Sequence, residues 1–319
     1  MNVYYEMPPF RPPSEAYSLL IRATRNCSWN RCEFCGMYKG AKLEIRAVAE
    51  VKEDIRAMKM VADEITEWAQ RSGYGSQVGM VARANGILWL DDGVVKNVFI
   101  GDSNSIIMKT EDLAEIVSFL YETFPTMERV TSYGRAKTVV KKRPEELRML
   151  REAGLTRLHV GLETGDDELL AYVGKGATAE EMIIGGRKAI EAGFELSEYV
   201  MPGLGGRERW EQHARGTARV LNEINPHFIR LRTLWLLPGT PLYEKNQRGE
   251  FTIQSLEGLL TEVRALIEAL EVTSEFVVSD HSANYYMWGV DGKPSEDKEQ
   301  MLRTIDAMLE MVLCKNSFE

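Results

Sequence analysis

Residues 18–35 read SLLIRATRNCSWNRCEFC, an apolar stretch that leads directly into three cysteines. The apolar part, residues 18–25, predicts a buried first strand. Cys27, Cys32 and Cys35 follow it in a C-x4-C-x2-C spacing. Three thiolates on one short loop can converge on a metal or an iron–sulfur cluster, so we interpret the loop as a candidate metal site.

A regular alternation of strands and helices follows this loop. Predicted strands cover 97–102, 129–134, 157–162, 196–201 and 228–237, and predicted helices cover 49–71, 111–124, 143–153, 166–192, 207–223 and 255–270. Six such β/α units imply a parallel sheet with right-handed crossovers, either partly closed into a barrel or open. In both arrangements ligands bind at the carboxyl ends of the strands.

Three local patterns complete this prediction. Thr110 is expected to cap the helix that begins at 111. The glycine-rich residues 73–93 are expected to form a hairpin or loop insertion that serves as a lid. Cys314 lies in an apolar C-terminal segment and is expected to be a buried, small hydrophobic residue.

Composition restricts the class of protein. The 319 residues include 39 Lys and Arg against 48 Asp and Glu, a net charge of −9, which argues against a dedicated nucleic-acid binder. No secretory leader and no apolar run of membrane-spanning length occurs, so the sequence predicts a soluble, cytoplasmic protein. We expect an N-terminal extension over 1–17, a core over 18–271, and a C-terminal extension over 272–319 that packs on the core.

The cysteine spacing alone leaves zinc and an iron–sulfur cluster open as alternatives. A structural zinc site takes four Cys or His ligands, and no histidine lies near the loop in sequence. A 4Fe–4S cluster with three protein thiolates keeps one iron open for a small-molecule chelate. The remaining interpretation is that the three cysteines bind no common metal or cluster.

Glycine-rich and acidic motifs stand at the ends of the later strands. They are Gly101-Asp102-Ser103 after the second strand, Gly161-Leu162-Glu163-Thr164-Gly165 after the fourth, Met201-Pro202-Gly203-Leu204-Gly205-Gly206 after the fifth, and Pro238-Gly239-Thr240-Pro241-Leu242-Tyr243 after the sixth. Glycines at such positions allow a close approach of backbone to ligand. Turn chemistry is the structural alternative for each motif.

The cysteine loop, Phe34 within it, and these motifs resemble the radical S-adenosylmethionine (radical SAM) superfamily over about residues 18–290. The branch is similar to the oxygen-independent coproporphyrinogen oxidases and the methylthiotransferases. The superfamily usually has a C-x3-C-x2-C motif, and this loop carries one additional residue.

The resemblance implies a partial (β/α)6 TIM-like barrel and a 4Fe–4S cluster on the three cysteines. It further implies that the cluster cleaves S-adenosylmethionine reductively to a 5′-deoxyadenosyl radical, which abstracts hydrogen from a small polar or anionic substrate. A flavodoxin or ferredoxin would supply the electron. The cofactor residues that the resemblance implies are Phe34, Gly101, Asp102, Ser103, Glu163, Gly203, Leu204 and Pro238. Tyr133 and Arg135 join them because they end the third strand, where polar side chains are expected to reach the cofactor carboxylate or the substrate.

Five further residues are candidates for substrate contact or catalysis. Arg230 and Arg232 alternate with apolar residues on the sixth strand, so we expect them to face the barrel lumen. His159 on the fourth strand is a candidate of the same kind, with a satisfied core histidine as the alternative. His281 and Tyr285 lie in the polar, aromatic segment 279–286, which we expect to line the substrate pocket, whereas His213 is expected on a helix surface.

Two other functions remain open at this stage. One is a zinc- or iron–sulfur-stabilised α/β protein that binds a ligand or transfers electrons without radical chemistry. The other is a radical enzyme that modifies RNA by methylation or sulfur insertion, which the acidic net charge disfavours.

Overall fold

The structure is a computed structural model, and it describes residues 4–316. The chain divides into two compact units, which are described separately. The first comprises Met1–Ser28, Ala41–His159 and Glu191–Phe194, and the second comprises Trp29–Gly40, Val160–Ile190 and Glu195–Glu319. Within the described part of the chain, no helix combines the length and apolar character needed to cross a membrane.

The first unit is built on parallel strands covered by helices. Its elements are β1 (Leu19–Ile21), β2 (Thr24–Arg25), β3 (Glu44–Ile45), α1 (Val48–Arg71), α2 (Val78–Ala84), β4 (Asn97–Ile100), α3 (Thr110–Thr123), β5 (Arg129–Gly134), α4 (Ala136–Lys141), α5 (Pro144–Glu152) and the start of β6 (Leu155–Glu163). Strand β4 pairs in parallel with β1 on one side and with β5 on the other. Strands β2 and β3 form a short antiparallel pair.

Apolar periodicity explains the core of this unit. Helix α1 buries Val51, Ile55 and Met58, which recur at helical spacing on one face. Strand β1 is buried along its whole length, as expected of a parallel strand covered on both faces. These residues fix β1, the strand that leads through β2 into the cysteine loop.

The second unit repeats the same architecture. After the end of β6 it contains α6 (Asp167–Tyr172), α7 (Ala179–Glu191), β7 (Glu195–Val200), α8 (Gly206–Ile224), β8 (Phe228–Leu231), α9 (Pro241–Gln247), α10 (Leu256–Ala269), β9 (Glu275–Val277) and α11 (Pro294–Asn316). Strands β7, β8 and β9 pair in parallel. Helix α10 packs against both α8 and α11.

Several sequence predictions of local structure were wrong. The strand predicted over 228–237 ends at Leu231, because Thr233 bonds the side chain of Asn284 instead of continuing the ladder. A ninth strand, β9, and helix α9 were missed. Residues 73–93 contain the helix α2 as well as loop.

Two side-chain predictions also fail. Thr110 is the first helical residue and not the cap, since its hydroxyl bonds Lys142 and Glu146. Cys314 is exposed, because it lies on a part of α11 where Met311 and Leu313 are exposed as well.

Candidate cofactor site

The three clustered cysteines are partly buried, and none forms a disulfide. Cys27 belongs to the first unit, and Cys32 and Cys35 belong to the second. The Cys35 amide donates to the Cys32 carbonyl at 3.3 Å, which turns the chain between these two residues. Within residues 4–316, no three His, Cys, Asp or Glu side chains are gathered as a metal site. The donor set itself, three thiols on one loop, suits an iron–sulfur cluster.

The turn after β4 holds the residue that precedes Cys27. Asp102 is 1% exposed, and its Oδ2 accepts hydrogen bonds from the Asn26 amide at 3.1 Å and from Arg22 Nε at 2.9 Å. The hydroxyl of Ser103 donates to the Asn26 carbonyl at 3.2 Å. Asp102 and Ser103, two of the cofactor residues that the resemblance implies, therefore also fix the backbone at the start of the cysteine loop.

Asn104, which the sequence analysis missed, holds the residue that follows Cys27. Its Nδ2 donates to Ser28 Oγ at 3.0 Å and to Thr138 Oγ1 at 2.9 Å. Its Oδ1 accepts from the Arg135 amide at 3.0 Å. Cys27 thus lies between two anchored neighbours.

Residues of the N-terminal segment contact the turn after β4 and the arginine that bonds to it. Glu6 accepts hydrogen bonds from Arg25 and Arg22, and chiefly the bond from Arg25 lowers its pKa to about 2. A Cβ at Gly101 would lie 2.4 Å from the Cγ of Pro8, so only glycine fits this turn.

His159 is buried and bonded within the first unit. Its Nε2 lies 3.2 Å from Oε1 of the buried Glu15, whose Oε2 accepts from Ser18 at 2.5 Å and from Arg129 at 3.2 Å. Burial raises the pKa of Glu15, but the contacts with His159 and Arg129 lower this pKa by a larger amount. The pKa of Glu15 is therefore lowered overall. The Tyr133 ring lies 6.0 Å from that of His159. This geometry favours the satisfied core histidine.

In the second unit, apolar packing surrounds Phe34. Phe34 packs with Met201 and Leu236 against a buried cluster that consists of Leu169, Val173, Leu204, Leu234, Leu242 and Phe251. The structure therefore brings together Phe34 and Leu204, both of which the resemblance implies as cofactor residues. Pro238 is exposed at the turn before α9.

The backbone of the loop is tied to two helices of this unit. The Glu33 amide donates to the Val173 carbonyl at 2.8 Å, and the Leu242 amide donates to the Glu33 carbonyl at 3.1 Å. Trp29 Nε1 donates to the Gly174 carbonyl at 2.7 Å. These bonds hold the second half of the loop on α6 and α9.

Glu163 ends β6 in a left-handed conformation with φ of 62°. Its Oε1 accepts from Lys175 Nζ at 2.8 Å. A Cβ at Gly161 would lie 2.3 Å from this Oε1, so the missing side chain provides the space for the ion pair. The motif after the fourth predicted strand thus presents a paired carboxylate.

Glu198 on β7 is a second carboxyl near this pair, and the sequence analysis missed it. It is 1% exposed, and neither carboxyl oxygen has a hydrogen-bond partner among the described residues. Burial raises its pKa to about 8, with Lys175 acting against the shift and Glu163 adding to it. The signal available in the sequence was an acid in the interior of a predicted strand, directly before Tyr199 and Val200.

Arg230 and Arg232 share one carboxylate. Asp280 accepts from Arg230 Nη1 at 2.5 Å and from Arg232 Nη1 at 2.8 Å. Arg232 also lies over the Tyr199 ring at 4.7 Å, and Tyr199 is opposite Arg230 in the strand register. Since side chains alternate along a strand, Glu198 lies on the other face of β7. The arginines and Glu198 therefore do not line one site.

The other two candidates lie beyond β9. The Nδ1 of His281 accepts from the Ala283 amide at 3.1 Å, and burial together with the charge of Arg232 lowers the pKa of this imidazole. Tyr285 is 70% exposed and its ring stands edge-on to that of Tyr286.

His213 is buried, which corrects the prediction that it lies on a helix surface. It is 1% exposed on the inner face of α8, and its Nδ1 lies 2.8 Å from Thr164 Oγ1. Buried polar groups are normally bonded, and this partner offsets the cost of burying the ring.

Comparison with known proteins places this geometry in a family. The chain is 26% identical over 164 residues to the heme chaperone HemW of Bacillus subtilis, a match that covers 51% of this chain and 43% of that protein. It is 26% identical over 109 residues to the tRNA uridine(34) acetyltransferase of Methanocaldococcus jannaschii, which covers 34% of this chain and 20% of that protein. The chain thus spans less than half the length of these curated relatives.

A solved structure supports the fold. Coproporphyrinogen III oxidase (HemN) from Escherichia coli, described as a radical SAM enzyme, aligns with a TM-score of 0.51 and 17% identity over 84% of this chain and 54% of that one. The predicted α/β fold of the partial (β/α)6 barrel class is confirmed by this likeness. The Radical SAM superfamily model matches residues 21–215. Because that match covers more than half of the sequence, the chain belongs to the radical SAM superfamily.

Proposed function

We propose that Cys27, Cys32 and Cys35 hold the 4Fe–4S cluster of this radical SAM enzyme and that its substrate is a small anionic or polar molecule. The observation that carries the first part is the anchoring of the loop. Asp102, Ser103 and Asn104 fix both neighbours of Cys27 in the first unit. Backbone bonds to α6 and α9 fix the second half of the loop.

When bound, such a cluster supplies the electron that cleaves S-adenosylmethionine to the 5′-deoxyadenosyl radical. The chain's own residues would bind and orient the cofactor. Glu163, paired with Lys175, offers a carboxylate for ribose hydroxyls, and Phe34 with Leu204 offers an apolar surface for adenine. A small reductant protein such as flavodoxin or ferredoxin is the electron donor in this proposal.

Metal loading tests the ligand assignment. After anaerobic reconstitution with iron and sulfide, we expect about four irons per chain. Cys27→Ala, Cys32→Ala and Cys35→Ala should each lose most of this iron. Cys314→Ser is the matched control, because that exposed cysteine lies outside the loop. Loss of iron in the control alone, or one zinc in place of iron, would refute the assignment.

The arginine pair supports an anionic substrate. Two guanidinium groups share the single carboxylate of Asp280, which leaves a net positive charge, and Arg232 Nη2 is buried without a hydrogen-bond partner in the described chain. Guanidinium groups bind carboxylates and phosphates with two parallel hydrogen bonds.

Inorganic phosphate probes this site. Asp280→Asn removes the competing carboxylate, so phosphate should raise the melting temperature of this variant more than that of the wild type. Arg232→Gln should abolish the effect. Equal responses in all three proteins would remove the support for an anionic substrate.

An RNA substrate is the second candidate, favoured by the partial match to the tRNA uridine(34) acetyltransferase. That match covers 20% of the relative, and the net charge of −9 opposes the RNA backbone. A small-molecule substrate therefore fits better. Salt-sensitive binding of bulk tRNA by the purified protein would reverse this preference.

A further inference from the structure

Two buried polar side chains from different helices meet at the turn that follows β7. Glu262 on α10 is 2% exposed, and His213 on α8 is 1% exposed. Glu262 Oε1 accepts from the Gly203 amide at 2.7 Å and lies 3.3 Å from His213 Nε2. Helices α8 and α10 therefore both hold this turn through polar contacts.

The imidazole extends the connection to the end of β6. His213 Nε2 lies 3.1 Å from the Met201 carbonyl, and since a carbonyl only accepts, Nε2 carries a hydrogen. His213 Nδ1 lies 2.8 Å from Thr164 Oγ1. Thr164 directly follows Glu163, so one ring joins the segment of Glu163 to the turn of Gly203.

The conformation of Gly203 and its contact with α10 restrict the position of the turn after β7. Gly203 has φ of 85°, and a Cβ there would lie 2.9 Å from Leu259 Cδ2. Helix α10 therefore bounds Gly203 by the Leu259 side chain and bonds its amide through Glu262. If Glu262 is removed, a buried amide is left without its acceptor, and the turn has a reason to shift.

We propose that His213 and Glu262 are positioning residues that set the Glu163 segment and the Gly203 turn in register for S-adenosylmethionine. The proposal rests on the proposed function, in which both segments contact the cofactor. Displacement of either segment should change the affinity for S-adenosylmethionine more than the rate of the reaction. The reason is that the side chains of His213 and Glu262 act through these segments and need not touch the reacting atoms.

Cofactor affinity in the reconstituted protein tests this proposal. We expect Glu262→Ala and His213→Ala to raise the Kd for S-adenosylmethionine by about tenfold or more. Glu262→Gln keeps an oxygen that accepts from Gly203 and should stay within about threefold of the wild type. At saturating S-adenosylmethionine, the rate of 5′-deoxyadenosine formation should change less than the Kd in every variant.

Asn222→Ala is the matched control for a merely structural role. Asn222 on α8 donates to the Ala269 carbonyl of α10 at 2.9 Å and accepts from the Glu271 amide at 2.7 Å, so it links these helices away from the turn. We expect a lower melting temperature but an unchanged Kd. If Glu262→Ala does not fold, Thr164→Val is the second variant. It removes the hydroxyl that lies 2.8 Å from His213 Nδ1 and that also accepts from the Asp166 amide at 3.1 Å, and it should still raise the Kd.

Three results would overturn the proposal. They are a wild-type Kd in Glu262→Ala, an equal weakening in Asn222→Ala, and no rescue by glutamine in a protein as stable as the wild type. Failure of the wild-type protein itself to bind S-adenosylmethionine would instead refute the proposed function, and this inference with it.

Discussion

The two halves of the cysteine loop are held by different physical means. Around Cys27, in the first unit, the loop is fixed by charged and polar groups: Asp102, Arg22 and Asn104 all bond to it or to its anchor. Around Cys32 and Cys35, in the second unit, the loop is fixed by backbone bonds and by the packing of Phe34 on an apolar cluster. The side-chain bonds of Trp29, Lys39 and Lys245 add to this half, but none of them ends on a buried carboxylate.

The difference determines how each half responds to change. A polar anchor is sensitive to the loss of one partner, because the remaining partner stays buried and unpaired. Apolar packing loses stability gradually with the area removed. We therefore expect one substitution in the polar anchor of Cys27 to cost most of the stability of that half of the loop. Substitutions of Phe34 should lower the stability of the other half in proportion to the apolar area removed.

Within the cysteine loop and its anchors, the largest effect should follow Asp102→Ala. This change leaves the Asn26 amide without its acceptor and leaves Arg22 with Glu6 alone, and we expect about 3 kcal/mol of lost unfolding free energy. Iron content after reconstitution should also fall sharply. Chemical denaturation and iron analysis measure both, and Asp102→Asn, which keeps an acceptor oxygen, should fall between. Wild-type stability and iron content in Asp102→Ala would show that the polar anchor is dispensable.

A second effect depends on pH and concerns Glu198. Its pKa is raised from 4.5 to about 8, so between these values the folded protein keeps a proton that the unfolded chain has released. The free energy of unfolding therefore falls as pH rises through this window. Glu198→Gln cannot ionise and should be more stable than the wild type at pH 8, by on the order of 2–4 kcal/mol.

Denaturation curves at pH 5 and pH 8 measure this difference. The advantage of Glu198→Gln should be small at pH 5 and large at pH 8. Glu275→Gln, a change of an exposed acid on β9, is the control and should show no such trend. A constant difference at both pH values would mean that Glu198 is already ionised at pH 5 in the folded protein.

The smallest effect should follow Phe34→Ala. Phe34 is only partly buried, so we expect a loss of about 1–3 kcal/mol, and Phe34→Leu should recover most of it. Iron content should stay near that of the wild type, in contrast to Asp102→Ala. If Phe34→Ala loses iron as completely as Asp102→Ala, the proposed difference between the two halves is wrong.

The sequence predicted what local patterns determine. The cysteine spacing and the glycine–acid motifs were visible because they are contiguous, and the strand–helix alternation was visible because burial imposes a period. The ends of elements were less accurate, as at Leu231, where a contact with the distant Asn284 ends the strand. Such contacts have no local signature.

The residues that were missed depend on distant partners. His213 stands among Glu211, Gln212 and Arg215, a pattern typical of an exposed helix, yet Thr164 lies 49 positions away in sequence and bonds it in the core. Asn104 follows a turn, where asparagine is common for reasons of turn chemistry. Only Glu198 carried a signal, since an acid in the interior of a buried strand requires an explanation.

Formation of 5′-deoxyadenosine tests the central claim most directly. The reconstituted protein would be reduced with dithionite in the presence of S-adenosylmethionine without oxygen, together with Cys32→Ala and Cys314→Ser. We predict 5′-deoxyadenosine from the wild type and from Cys314→Ser, and none from Cys32→Ala. A wild-type protein that carries four irons and never forms 5′-deoxyadenosine would contradict the assignment of radical chemistry to this site.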